Sequence, residues 1–151
     1  METARMNHSA PPHGYSLEYA VLCESTSKEM SGKDVLVGAV PDGLMAPLFP
    51  LTFRCAFWCI VRADDALEGV HTLTLRLCEK GKPDAPDFAQ FNIQFSTAQR
   101  ATGRSAFNTL AEFVTIREPL TAILMWSIDG SNFVPLREIP FVKVPSQKTE
   151  K

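Results

Sequence analysis

The stretch Leu51–Arg62, LTFRCAFWCIVR, decides the fold. It is the longest apolar run in the chain, and it is apolar on both alternating faces. Leu51, Phe53, Cys55, Phe57, Cys59 and Val61 share one face; Ala56, Trp58 and Ile60 share the other, with Thr52, Arg54 and Arg62 toward the ends. Successive side chains of a strand point to opposite sides of its sheet. A run hydrophobic on both sides is therefore read as a central strand covered above and below. A two-sheet packing covers one face only, so Ala56, Trp58 and Ile60 need a second cover. The segment Pro41–Pro50 and a second subunit are the two candidates.

Downstream, Asp64-Asp65 and Gly69 mark a turn. Val70–Glu79 alternates next, with His71, Leu73, Leu75 and Leu77 on one face, and hairpin pairing would set these leucines beside the central strand. Phe88–Ser96 alternates most clearly, Phe91, Ile93 and Phe95 against Gln90, Asn92 and Gln94. Thr97–Phe107 is rich in small polar residues and reads as a flexible loop. Strands are expected at Thr109–Arg117 and Leu120–Ile128, with a helical turn as the competing reading for Ser105–Phe113. Asp129-Gly130-Ser131-Asn132 is a hairpin turn. Phe133–Val144 carries Pro135 and Pro140, which assign it to an edge or to bulged segments.

Upstream, Leu17–Glu24 and Lys33–Val40 read as a hairpin joined by the polar stretch Thr26–Gly32, and Gly38 suggests a bulge or close backbone approach. Pro41–Pro50 has too many prolines for a central ladder. Its Leu44, Met45, Leu48 and Phe49 plug one end of the core or form a patch for a partner. The expected fold is all-β, an antiparallel β-sandwich of about eight strands, Ig-like or jelly-roll-like. Residues 16–144 would form one domain between flexible tails at 1–15 and 145–151.

The 151 residues suffice for one cored domain, and 45% apolar with 21% charged residues is globular composition. A net charge of -2 offers no footprint for nucleic acid or an anionic membrane. No run reaches the roughly 18 apolar residues of a membrane span, and METARMNHSAPPHG lacks a signal-peptide core. The expectation is a cytoplasmic protein with reduced cysteines. Cys55 and Cys59 lie roughly 13 Å apart along a strand, beyond the roughly 7 Å a disulfide tolerates; Cys55 with Cys78 remains an open pairing.

Catalytic groups are sparse. A Cys59–His71 nucleophile pair needs hairpin adjacency and a thiolate, which an apolar strand opposes. No compact zinc spacing occurs. The acids split between two ends, Asp64, Asp65 and Asp129 against Asp42, Asp84 and Asp87, so they do not converge on calcium. His8 and His13 sit in the expected tail. Arg100 and Arg104 share a loop that suits a phosphate or an acidic partner. There is no Walker loop, GxGxxG or GxSxG. No enzyme and no cofactor are expected.

Ala20, Leu22, Cys23 and Glu24, then Gly32-Lys33, Leu36 and Gly38, then Phe49-Pro50 before the apolar strand, resemble the opening of a family of small bacterial and phage-associated proteins known only as a domain of unknown function. The resemblance covers about residues 17–61. This chain departs from it at Glu24-Ser25, where the family pattern has two acids, and in its longer leading segment. It implies a β-rich, prokaryotic, cytoplasmic protein without established activity.

The resulting expectation is a non-enzymatic protein-interaction module, self-association included, with a partner surface at Leu44, Met45, Leu48, Phe49, Trp58, Arg100 and Arg104. A small-molecule or carbohydrate-binding domain using Trp58 and Trp126 is the second expectation.

Overall fold

The computed structural model describes residues 15–40, 42–63, 69–82, 84–97 and 104–145. The expected tails fall almost wholly outside these residues, as do Asp64-Asp65 and Arg100. The described chain forms strands β1 (Tyr15–Cys23), β2 (Ser25–Lys28), β3 (Asp34–Val37), β4 (Leu44–Ala46), β5 (Leu51–Ala63) and β6 (Gly69–Glu79). They are followed by β7 (Ala89–Thr97), β8 (Arg104–Asn108), β9 (Glu112–Ile116), β10 (Leu120–Ile128) and β11 (Val134–Lys143). No helix occurs among the described residues, so the all-β expectation holds. The arrangement differs from an eight-stranded antiparallel design. The described residues form eleven strands in curled, open sheets, and β4 pairs with β11 in parallel.

The apolar run is central. β5 pairs with β1 on one side and with β8 and β9 on the other. It does not pair with β6, which corrects the expected hairpin. β6 lies in the second sheet, ordered β4-β11-β10-β6-β7, so Leu73, Leu75 and Leu77 face β5 rather than flank it. One hydrophobic cluster joins Cys55, Phe57, Cys59 and Val61 of the first sheet to these leucines and to Phe91, Ile93, Leu124, Trp126 and Phe141 of the second.

The second cover is the β2–β3 ribbon. The expected hairpin forms with a shorter turn than Thr26–Gly32: past Glu24 the chain runs on as β2, which pairs with β3 from Ser25↔Val37 to Lys28↔Asp34, and the pairing reaches back to an antiparallel Leu22↔Val40 bridge. The ribbon lies over the outer face of β5, where the Trp58 indole N–H donates to Asp34 Oδ2 at 3.0 Å and Ala56 is fully buried. Within the expected Pro41–Pro50 cover, β4 pairs with β11 of the other sheet instead.

The expected loop Thr97–Phe107 contains β8, and the competing helical turn at Ser105–Phe113 does not form. β8 and β9 track the same side of β5 through a bulge. Asn108↔Trp58 and Glu112↔Cys55 are four residues apart on one strand and three on the other. Thr109 repairs the ladder there. Its N–H donates to Phe57 O at 2.9 Å, and its Oγ1 accepts the Phe57 N–H at 2.7 Å. Thr109→Val keeps the shape and leaves a buried N–H without its acceptor, so denaturant unfolding should show a loss of about 1–3 kcal/mol that Thr109→Ser largely avoids.

β11 refines the proline argument. Pro135 and Pro140 lie opposite Met125 and Thr121 of β10. β4 joins the outer side only at Phe141, Val142 and Lys143, past the last proline. The missing N–H groups therefore lie where that side carries no ladder partner among the described strands.

Candidate functional site

The expected partner surface separates into parts. Along β4 the side chains alternate: Leu44 and Phe49 pack against the core, Ala46 is buried, and Met45 is 72% exposed. Leu48, three residues farther along, is 73% exposed. Register places Met45 opposite Val142 of β11, itself half-exposed. The surface thus keeps Met45 and Leu48, loses Leu44 and Phe49 to packing, and gains Val142. Sequence reading missed Val142, although the alternation Phe141–Val142–Lys143 carried the signal.

Gly43 sets β4 in place. It adopts φ +134°, and a Cβ there would lie 2.6 Å from the Pro140 carbonyl oxygen and 2.7 Å from the proline ring. Neither backbone nor ring can yield cheaply. Gly43→Ala should cost about 2–4 kcal/mol from strain and overpacking. Hydrogen exchange should show the Leu44–Ala46 amides losing protection before the β6 amides do.

Trp58 is half-buried beneath the ribbon with its N–H engaged by Asp34, and Trp126 is a core residue. Arg104 lies in β8 opposite Arg62, and Arg100 is outside the described residues.

The four cysteines are free and buried. Cys55 and Cys78 sit on different sheets, which removes their pairing. Burial, reinforced by neighbouring Cys23, pushes the Cys55 and Cys59 thiols up to about 12. Such thiols are neutral and unreactive at ordinary pH. Burial also raises Cys23 and Cys78. His71 faces the core with its ring 5.8 Å from that of Phe95, and its Nδ1 lies 2.6 Å from Asp129 Oδ2. Asp129 Oδ1 accepts the Thr72 N–H, and the Asp129 N–H donates to the Thr72 carbonyl. These bonds clamp the β10–β11 turn onto the start of β6. The clamp was invisible in sequence beyond the Asp129-Gly130 turn signal.

On the outer face of the second sheet, Arg76 makes a two-point ion pair with Asp87, both bonds 2.8 Å, and lies 4.8 Å from the centre of the Phe133 ring. The paired carboxylate raises its guanidinium pKa against the opposing effect of burial. Beside it an open cleft of about 530 Å³ includes Phe88, Thr115, Arg117 and Leu120. Of its three acids, Glu79, Asp87 and Glu118, the first two are paired, with Lys82 and Arg76 respectively. Among the described residues no group of three or more His, Cys, Asp or Glu could hold a metal ion, and no helix is long and apolar enough to cross a membrane.

The class defined by these features is an all-β domain whose distinctive surface chemistry is an apolar edge, with no assembled metal site among the described residues. The chain belongs to the DUF6941 family, a family of unknown function, whose sequence pattern matches residues 18–133. The match reaches well beyond the segment 17–61 that carried the resemblance. Comparison with curated proteins finds no match.

Proposed function

We propose that the two principal sheets act as an open sandwich that serves as a non-enzymatic protein-interaction module. The observation that carries this reading is the exposed apolar edge formed by Met45 and Leu48 with Val142, on a three-residue strand at the margin of the second sheet. Large apolar side chains left in water at a sheet edge are the usual signature of a docking surface. Parallel support comes from the chemistry: the Cys59 thiol is held neutral, and His71 is committed to the turn clamp. The four buried, reduced thiols favour a reducing cytoplasmic setting. The resemblance adds a prokaryotic or phage-associated one.

The test is a photo-crosslinking amino acid at Met45, with a control at exposed Lys82, in cells that express the protein. A crosslinked product formed from position 45 alone, and lost with Leu48→Asp, supports the reading. No product from position 45 overturns it. Product mass separates a foreign partner from a second copy.

A further inference from the structure

A sheet edge offers unpaired backbone N–H and C=O groups, and proteins blunt such edges with bulges, prolines, charges or short strands. Most edges here are blunted. β1 bulges between Leu17 and Tyr19, β4 has three residues, and the β8–β9 side is broken at Thr109. β7 is the exception. It is outermost in its sheet, and no described strand pairs with its far side. It runs nine consecutive rungs against β6 without a register shift, from Leu77↔Ala89 to Gly69↔Thr97. Its sequence, AQFNIQFST, contains no charge, proline or glycine.

We infer that β7 pairs antiparallel with β7 of a second copy, about a two-fold axis at Ile93. This inference goes beyond the interaction-module reading: it names one partner and uses a different edge. The register follows from the residues. Ile93 meets its own copy, Phe91 lies opposite Phe95, and Asn92 lies opposite Gln94. The core-facing Phe91, Ile93 and Phe95 then meet one another, exposed amides meet exposed amides, and Ala89, the remaining core-facing residue, lies opposite Thr97 at the strand's end. An isologous interface requires this self-complementarity, and the absence of charge removes the like-charge repulsion that opposes most homotypic edges. Leu110, 89% exposed, stands beside the same edge across a groove of about 200 Å³ that Gln90, Phe91, Asn92, Thr109 and Glu112 also line. It gives the incoming strand an apolar flank. Pairing joins two five-stranded sheets into one and leaves the two β4 edges at its far ends, so one dimer presents two copies of the Met45–Leu48 surface. Two linked sites gain avidity without new contacts.

Sedimentation and light scattering of the full chain, from micromolar to millimolar concentration, test this with two double variants. Asn92→Lys/Gln94→Lys and Asn92→Glu/Gln94→Glu each set like charges opposite one another twice across the axis. Both substitute exposed side chains, and far-UV circular dichroism checks the fold. The wild-type chain should dimerise. Each variant alone should dissociate, its dimer constant weakened about ten-fold or more, and an equimolar mixture should restore the dimer. A wild-type monomer throughout the range overturns the proposal. So does undiminished dimerisation of either folded variant. Dimerisation lost with Met45→Glu/Leu48→Glu but retained in the β7 variants overturns it too, while leaving the interaction-module reading intact. Failure of the Met45 crosslink has no bearing on β7.

Discussion

Phe57→Ala should remove about 3–5 kcal/mol of stability, the range for deleting a buried aromatic ring. Measured against the 5–15 kcal/mol of a typical domain, that brings the chain near the point of unfolding. Phe57 is wholly buried on β5, the strand that pairs with β1, β8 and β9. Its ring meets that of Phe91 edge-on, 5.4 Å between centroids and 77° between planes, so the contact spans the two main sheets. Its backbone also anchors the β8–β9 bulge through Thr109. Those backbone bonds survive the substitution, and the loss comes from transfer and cavity terms. Phe113→Ala is the control, because that ring is 79% exposed and its removal should change stability by about 0.5 kcal/mol or less. Urea unfolding of both variants decides the matter. Equal effects would show that Phe57 does not tie the two sheets together.

What sequence revealed was burial, and what it hid was pairing. Alternation located the strands at Val70–Glu79, Phe88–Ser96 and Leu120–Ile128 to within a residue, because each presents an unbroken apolar face to the core. The two-faced character of Leu51–Arg62 also correctly demanded a second cover. That cover escaped notice because the β2–β3 ribbon needs little apolar surface of its own. STSK reads as a turn, and Asp34 discloses its role only when it accepts the Trp58 N–H. β8 escaped for a similar reason. In the described part of TAQRATGRSAF, Phe107 is the residue packed against the core, so no period of two emerges. The expected β5–β6 hairpin failed because adjacency in sequence carries no information about a crossover between sheets. At the surface, Met45 and Leu48 were legible as apolar residues in a connection. Their separation from Leu44 and Phe49 required the register of β4 on β11.

Stability should fall steeply in alkali, and two core thiols set the direction. In the unfolded chain a cysteine ionises near 8.5, whereas in the folded protein Cys55 and Cys59 stay neutral until about 12. Their folded values are raised, so their contribution is fully present below the unfolded value and is lost as pH rises toward 12. Across that window the folded state holds up to two more protons than the unfolded state, and the linkage relation makes the unfolding free energy decline. At about 1.4 kcal/mol per unit for each group, the loss is on the order of 3 kcal/mol per pH unit for the pair. Two such units, about 6 kcal/mol, equal the whole stability of a domain at the lower end of the typical range. Guanidinium unfolding at a series of pH values above 8 measures the slope. Cys55→Ala/Cys59→Ala will be less stable near neutrality because it leaves cavities. Its alkaline slope should nevertheless be shallower by close to two protons, since these two thiols are the groups in which the proteins differ. An identical slope in the two would mean that Cys55 and Cys59 ionise in the folded core, contrary to the packing of β5.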